Sequence, residues 1–322
     1  MFSSQAAGCV ITVGLSLAVT GCSQVGLLKA KMAFRDANGL YQRQDYKAAA
    51  AKYEETVTEC KGSEPQCDDP DLSSAYFFLG NSYDNQYRPA RRGEAENDEL
   101  MNRAIENYKM ASQVANNQYK KLSLQYLVNA YSADKLNDPA QQEPLLQQMI
   151  EMDPTDPGNY SVLANVYEQN GDYERAEQLL IKAREVKPND PAVYTTLAAF
   201  YERQGDFPKM IEAYQARINQ EPNNPEAHYT IATEYWEKAY RDFTTSEADK
   251  VKFVQAGLAA VDKAIELKAD YFEALTYKNL LLRAQALLEK NPARQQELLR
   301  EAKTYEGRAI EVRNKQRAAG GA

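Results

Sequence analysis

Residues 157–190, PGNYSVLANVYEQNGDYERAEQLLIKAREVKPND, are followed directly by a second version of the same pattern, PAVYTTLAAFYERQGDFPKMIEAYQARINQEP, at residues 191–222. The first four matched positions of each copy fall at i, i+3, i+4 and i+7, which is one face of a helix. A glycine then interrupts each copy, a second apolar helical stripe follows, and a proline ends it. The stretch therefore predicts two helix pairs in tandem. The matched positions are Tyr160, Leu163, Ala164, Tyr167, Gly171, Tyr173, Ala176, Leu180, Ala183 and Pro188, then Tyr194, Leu197, Ala198, Tyr201, Gly205, Phe207, Met210, Tyr214, Arg217 and Pro222.

This pattern resembles the tetratricopeptide repeat (TPR), both in its thirty-four-residue period and in its small and aromatic positions. The resemblance implies an all-α fold, a TPR superhelical solenoid of about seven antiparallel helix pairs, in which each repeat contacts only its neighbours. Apolar periodicity alone would give an ordinary helical bundle, which is the alternative. The solenoid is expected over residues 30–317, with repeats near 30–63, 73–118, 121–156, 157–190, 191–224, 225–271 and 272–317.

Composition excludes several classes of function. The net charge of −8 argues against nucleic acid as a partner, because binding it needs a concentrated basic surface. The one histidine, His228, removes the common catalytic triads and the two-histidine metal motifs, and it occupies a core position of its repeat. The sequence contains no Gly-rich phosphate loop and no nucleophile elbow. We therefore predict that the protein is not an enzyme and uses no cofactor and no metal.

The first 21 residues are predicted to be a signal peptide. Val10 to Val19 is an apolar run of ten residues, too short to span a bilayer but suitable for a signal-peptide core. Val19-Thr20-Gly21-Cys22 resembles a bacterial lipobox, which implies diacylation of Cys22 and a lipidated tether at residues 22–29. Residues 1–8 lack lysine and arginine, unlike most signal peptides, and a disordered or buried apolar leader is the alternative. Ser23 in place of an aspartate favours the outer membrane, facing the periplasm.

Cys60 and Cys67 flank a polar loop after the first repeat. In an exported protein, such a pair is predicted to form a disulfide, which would contribute roughly 2–3 kcal/mol on the chain-entropy estimate. A zinc site would need four ligands, and no histidine or further cysteine lies nearby.

Three segments depart from the regular repeat. About twelve extra residues in the second repeat contain Arg88, Arg91 and Arg92 and then an acidic run; they are either a solvated loop or a partner contact. The extra residues of the sixth repeat are predicted to lengthen both helices, with Ser246 to Asp249 as a capping box. Residues 318–322 are predicted to be a disordered tail.

In the TPR family, the first helix of each repeat lines a concave groove. The resemblance therefore implies a groove with an asparagine ladder, which could hold an extended peptide because each amide both donates and accepts hydrogen bonds. Asparagine is also common at this position in consensus repeats. Aromatic side chains around the ladder are expected to face the groove as exposed anchors without a core role. The predicted groove residues are Asn38, Asn81, Asn129 and Asn165, with Phe34, Tyr41, Phe77, Tyr229 and Trp236.

The groove lacks the lysine with which carboxylate-clamp TPR proteins capture chaperone C-termini, so such tails are not expected to bind. The corresponding positions hold Phe34, Phe77, Gln125, Ser161, Thr195 and Tyr229. Docking by the edges or the insertions is the alternative to docking in the groove.

The lipobox together with the repeats resembles two kinds of TPR lipoprotein, the assembly lipoprotein of outer-membrane β-barrel machinery and the pilotins of type IV pilus secretins. This resemblance implies a membrane-anchored periplasmic scaffold that docks a protein or extended peptide. One alternative is a cytoplasmic TPR adaptor or regulatory subunit, and another is an accessory protein of an envelope hydrolase.

Overall fold

The computed structural model describes residues 16–62, 64, 66–67, 69–114 and 118–320, and it describes side chains from residue 24 to residue 318 within those ranges. Over these residues the chain is all helical apart from its turns and loops, with fourteen α-helices and no strand. The predicted fold class, an all-α solenoid, is confirmed. The helices fall into two compact units, which divide after Asp153.

Unit 1 contains three helix pairs. In each pair the two helices pack against each other, and α2 also packs on α3 and α4 on α5. Tyr53 and Tyr108, from the second helices of the first two pairs, are fully buried. The pairs are α1 (Ser16–Gln42) with α2 (Tyr46–Lys61), α3 (Ala75–Asp84) with α4 (Ala95–Gln113), and α5 (Lys120–Ala130) with α6 (Pro139–Met152).

Unit 2 contains four helix pairs, which makes seven in the described part of the chain. Its two tandem repeats share one apolar cluster, in which Ala198 and Ala176 have no exposed surface. The pairs are α7 (Pro157–Gln169) with α8 (Tyr173–Val186), α9 (Pro191–Gln204) with α10 (Phe207–Gln220), α11 (Pro225–Tyr240) with α12 (Glu247–Leu267), and α13 (Phe272–Leu288) with α14 (Pro292–Gly320).

The period of the sequence is visible in the helix caps of unit 2. Asp156, Asp190 and Asn224 each accept a hydrogen bond from a backbone N–H of the following helix, at 3.0 Å in every case. Each cap is followed by a proline at the first helical position, where no N–H is needed. These local bonds determine where α7, α9 and α11 begin.

A second periodic hydrogen bond joins each of these helices to the turn before it. The Tyr160 hydroxyl donates to the carbonyl of Pro154 at 3.0 Å, and the Tyr194 hydroxyl donates to that of Pro188 at 2.7 Å. In the third copy, the Nε2 atom of His228 lies 2.9 Å from the carbonyl oxygen of Pro222. His228 therefore takes a structural position that tyrosine occupies in the two preceding repeats.

Tyr194→Phe should remove this bond without changing the packing of the ring. We expect the free energy of unfolding to fall by about 1 kcal/mol, the usual net contribution of one hydrogen bond, in urea denaturation followed by circular dichroism. Tyr173→Phe is the control, since Tyr173 is 51% exposed and its change should be within about 0.5 kcal/mol. Equal stability of the two variants would contradict a role for the bond.

The loop after the first repeat and the sixth repeat both depart from the regular pattern. Cys60 and Cys67 form a disulfide with their Cα atoms 5.2 Å apart. The predicted lengthening of both helices of the sixth repeat is confirmed, because α11 has 16 residues against 14 in α9 and α12 has 21 against 14 in α10. Of its predicted capping box, the serine half is confirmed, since the Ser246 hydroxyl oxygen accepts from the Asp249 N–H at 3.2 Å and the same hydroxyl donates to the Asp249 carboxylate at 2.8 Å.

The predictions for the two ends of the chain fall only partly within the described residues. Residues 1–15 of the predicted signal peptide lie outside the described residues, whereas the backbone from Ser16 onward, including Cys22 and the predicted tether, belongs to α1. The predicted disordered tail begins at residue 318, and α14 continues to Gly320, while residues 321–322 lie outside the described residues. No described helix is long and apolar enough to cross a bilayer.

Candidate binding groove

A polar cavity of about 510 Å³ opens in unit 1 at the C-terminal ends of α1, α3 and α5, the first helices of its three pairs. We call it the unit 1 cavity. Four tyrosines, three asparagines, one carboxylate and two cationic side chains contribute to its walls. The lining residues are Tyr41, Tyr46, Asn81, Asp84, Asn85, Tyr87, Arg88, Pro89, Tyr126, Asn129 and Lys135.

Three predicted groove residues, Tyr41, Asn81 and Asn129, meet in this cavity. Asn81 is only 4% exposed, and its Oδ1 atom accepts from the Tyr41 hydroxyl at 2.6 Å and from the Asn85 side chain at 2.7 Å. Its Nδ2 atom points toward the Tyr108 hydroxyl at 3.4 Å. Asn81 is therefore used within the fold, and its expected place in a ladder open to a partner is wrong.

Of the other three predicted asparagines, one is partly used within the fold and two are exposed. Asn38 is half-buried, and its Oδ1 atom accepts from the Tyr53 hydroxyl at 2.7 Å. Asn129 is exposed in the cavity, and Asn165 is exposed in unit 2, where it accepts from Gln169 at 2.8 Å. Two of the four amides, those of Asn38 and Asn81, are hydrogen-bonded to a tyrosine of the second helix of their own pair, because Tyr53 and Tyr108 reach across to the first helix.

The aromatic anchors are also more buried than predicted. Phe77 is 4% exposed and stacks on Tyr119 with ring centroids 4.8 Å apart. Trp236 is 7% exposed, stacks on Tyr240 at 5.2 Å and meets Tyr277 edge-on. The prediction that these two rings are exposed anchors without a core role is wrong, because neighbouring aromatic rings cover them.

The three remaining aromatic predictions are half-buried. Phe34 packs near Tyr53 with ring centroids 6.0 Å apart. Tyr229 of unit 2 lies between Tyr271 and Tyr277, with centroid distances of 5.3 and 5.5 Å. Tyr41 lines the unit 1 cavity, and its hydroxyl donates a hydrogen bond to Asn81. Burial raises the pKa of Tyr41 to about 12. It therefore stays protonated and donates at any physiological pH.

A buried ion pair at the cavity was not predicted. The Nζ atom of Lys135 lies 2.6 Å from the Asp84 carboxylate, whose side chain is 7% exposed. The Tyr108 hydroxyl donates to the other carboxylate oxygen at 3.3 Å, and burial together with Asp84 raises the pKa of that hydroxyl. Because 51 residues separate the partners, no local sequence pattern could have revealed the pair.

The predicted insertion forms one wall of the cavity. It runs from Asn85 to Glu94 and includes a short 3-10 helix at Pro89–Arg91. The buried side chain of Asn97 holds its start, because it accepts from the Arg88 N–H at 2.8 Å and donates to the Arg88 carbonyl at 3.1 Å. These two hydrogen bonds therefore hold the insertion in place against α4, so it is not a free loop.

The three arginines of the insertion have different partners. Arg91 pairs with Glu94, and Arg92 donates to the Lys135 carbonyl at 3.0 Å. Arg88 donates only to main-chain carbonyls and forms no ion pair with any described residue. It therefore leaves one uncompensated positive charge at the cavity.

Two polar side chains of the cavity remain open to a ligand. The Tyr87 hydroxyl is not one of them, because it is buried, although it has no hydrogen-bond partner within the described part of the chain. Asn129 offers an exposed amide, and Arg88 offers unused N–H groups. Such a set of donors and acceptors can recognise a polar ligand. Among the described residues, no three potential metal ligands lie together.

Comparisons with known proteins agree with this fold. Residues 135–200 match the family model described as tetratricopeptide repeat. The C-terminal part of a TPR repeat-containing protein from Cytophaga hutchinsonii is similar in structure, with a TM-score of 0.53 and 15% identity over 87% of this chain and 98% of that chain. No curated protein matches the chain at a significant level.

Two other solved structures are less similar. A tetratricopeptide repeat protein from Parabacteroides merdae has a TM-score of 0.47 and 12% identity over 85% of this chain and 99% of that chain. A MamA protein has a TM-score of 0.43 and 16% identity over 62% of this chain and 95% of that chain. The family match supports TPR repeats in this chain, and the fold is consistent with a TPR-type protein-interaction scaffold, a class that is typically not catalytic.

Proposed function

We propose that this protein is a membrane-anchored periplasmic scaffold that docks a partner protein or an extended peptide in the unit 1 cavity. The observation that carries the proposal is the cavity itself, which the first helices of three successive pairs build together. TPR solenoids use their stacked helices as extended binding surfaces. The docked partner would take part in assembling an outer-membrane, secretion or pilus complex.

The chemistry of the cavity suits a peptide main chain. Every peptide unit carries one donor and one acceptor, and a binding wall must satisfy both. The exposed Asn129 amide supplies both roles, and Arg88 supplies donors for a carbonyl or a carboxylate. Because the insertion is held by Asn97, this wall is formed before a partner arrives, which lowers the entropy lost on binding.

The anchoring part of the proposal rests on Cys22 and on helix α1. The lipobox pattern ends at Cys22, and α1 runs without interruption from Ser16 to Gln42. At a rise of 1.5 Å per residue, the eight steps from Cys22 to Ala30 span about 12 Å. A lipid on Cys22 would therefore hold the first repeat close to the bilayer surface, and several acyl chains would make the attachment stable.

The lipid anchor can be tested separately from docking. Metabolic labelling with palmitate should mark the wild-type protein and not Cys22→Ala, and the labelled protein should sediment with outer membranes. Equal labelling of the two would refute the lipoprotein assignment and favour a cytoplasmic adaptor.

Docking can be tested by photo-crosslinking in cells. A photo-reactive amino acid at position 129, inside the cavity, should capture a discrete partner, and Arg88→Ala in the same chain should reduce the adduct at least several-fold. The control position is Glu106, which is exposed on α4 and does not line the cavity. Capture that is equal at both positions, or that ignores Arg88→Ala, would refute docking in the cavity.

A further inference from the structure

Unit 2 contains a second recess, of about 330 Å³, which we call the Glu234 pocket. It lies where α9 and α11 end and α10 begins. Its walls combine apolar side chains with six charged ones. The lining residues are Glu202, Gly205, Phe207, Met210, Glu234, Glu237, Lys238, Arg241 and Asp242.

The floor of the Glu234 pocket is apolar. Met210 is 4% exposed, and the half-buried Phe207 ring is fixed by Phe253 and Tyr235 at centroid distances of 5.1 and 6.1 Å. The Nζ atom of Lys238 lies 5.3 Å from the centre of the Phe207 ring. The floor therefore offers an apolar surface, made by Met210 and Phe207, to the carbon stem of an incoming side chain.

The charges of the pocket do not balance. Arg241 pairs with Glu237 at 3.0 Å, and Lys238 pairs with Asp242 at 2.6 Å, so both cations are occupied. Neither Glu202 nor Glu234 has a side-chain hydrogen bond or an ion pair with any residue that the structure describes. The ends of α9 and α11 add the negative poles of their helix dipoles. Two carboxylates above an apolar floor thus lack a cation.

We infer that the Glu234 pocket receives an arginine side chain from a segment of a partner protein. The three-carbon stem of arginine would pack on Met210 and Phe207, as long basic side chains do on apolar surfaces. Its planar guanidinium has five donors, which suits two separate carboxylates better than the compact lysine ammonium does. The positive charge of arginine thus complements the two unpaired carboxylates of the pocket.

The pocket is independent of the unit 1 cavity. The inference shares with the proposed function only the assumption that a protein partner exists. It concerns a different unit and can be tested with defined peptides, so its failure would leave docking in the unit 1 cavity untouched.

The same arrangement makes the pocket sensitive to pH. Burial, and then the charges of Glu202 and Glu237, raise the pKa of Glu234 to about 7. Tyr214 of α10 and Tyr277 of α13 also sense its charge, while Lys238, Arg241 and Asp242 complete the rim. A bound guanidinium stabilises the ionised carboxylate, so arginine binding should strengthen as the pH rises from 6 to 8.

The direct test is a titration, followed by NMR, with a short capped alanine–serine peptide that contains one arginine. A matched peptide with citrulline has the same shape and no charge. At pH 8 we expect the arginine peptide to bind at least about tenfold more tightly than the citrulline peptide, equivalent to about 1.4 kcal/mol. Glu234→Gln and Glu202→Gln should each remove most of this difference, whereas Glu174→Gln, at an exposed position of α8 outside the pocket, should not.

The thermal midpoint of Glu234→Gln shows whether this variant is folded. The fold favours protonated Glu234, so its stabilising effect is complete below pH 4.5 and is lost as the pH rises through about 7. Glu234→Gln should therefore raise the thermal midpoint at pH 8 and leave it nearly unchanged at pH 5. Equal binding of the two peptides, or arginine selectivity that survives Glu234→Gln in a folded variant, would overturn the inference.

Discussion

Gly80→Val is expected to destabilise unit 1 by about 3 kcal/mol, at the upper end of what overpacking a core usually costs. A Cβ atom at position 80 would lie 2.9 Å from Cδ1 of Tyr108 and 3.0 Å from the Ala104 carbonyl oxygen. Neither neighbour can yield easily, because one is main chain and the other is a fully buried ring that is hydrogen-bonded to Asp84. Helices α3 and α4 would have to separate. Urea denaturation followed by circular dichroism would measure the loss.

Gly39→Ala is the matched control for this prediction. Gly39 is also helical, but a Cβ atom there would have no neighbour within 4 Å. Alanine has the higher helix propensity, so this variant should be stabilised by up to about 1 kcal/mol. If the two substitutions changed stability in the same direction, the close approach of α3 and α4 would not be a constraint on the fold.

Lys135→Met is expected to lower the free energy of unfolding of unit 1 by about 2–3 kcal/mol. The substitution would leave the Asp84 carboxylate, 7% exposed, without its cation and with only the Tyr108 hydroxyl as a partner. Removing one member of a buried ion pair costs more than the pair contributes, because the remaining charge stays desolvated. The expected cost is at the low end for buried pairs, since the Lys135 side chain keeps 17% exposure.

Two further variants separate the buried charge from the lost contact. Asp84→Asn combined with Lys135→Met should recover most of the stability, because no unpaired charge remains. Lys52→Met should leave stability nearly unchanged, since its ion pair with Glu55 is exposed on both sides. A double variant as unstable as Lys135→Met would show that packing by lysine, and not charge, is what matters at this site.

The two recesses occupy corresponding places in their repeats. The unit 1 cavity lies at the C-terminal ends of α1, α3 and α5, and the Glu234 pocket lies at those of α9 and α11. At these ends the chain leaves the helix for a turn, so the side chains of several elements converge. Their charges differ, since Arg88 is the unpaired group in the first recess and Glu202 and Glu234 are unpaired in the second.

The sequence alone determined the features that depend on neighbours close along the chain. The period at Tyr160 and Tyr194 predicted the helix pairs, and serine before the acidic turn at Asp249 predicted the start of α12, as the structure has them. Amphipathic periodicity and helix caps act within a few residues, so a single sequence contains the whole of that interaction.

Only the tertiary structure decided which polar and aromatic side chains remain open to a partner. Register placed Asn81, Phe77 and Trp236 on the first helices, but Tyr41, Tyr119 and Tyr277 from other elements occupy or cover them. The same holds for Asp84, which Lys135 neutralises, and for Glu234, which has no cation. A helical pattern determines the direction of a side chain, whereas its burial and its charge balance depend on residues tens of positions away that meet it only when the repeats stack.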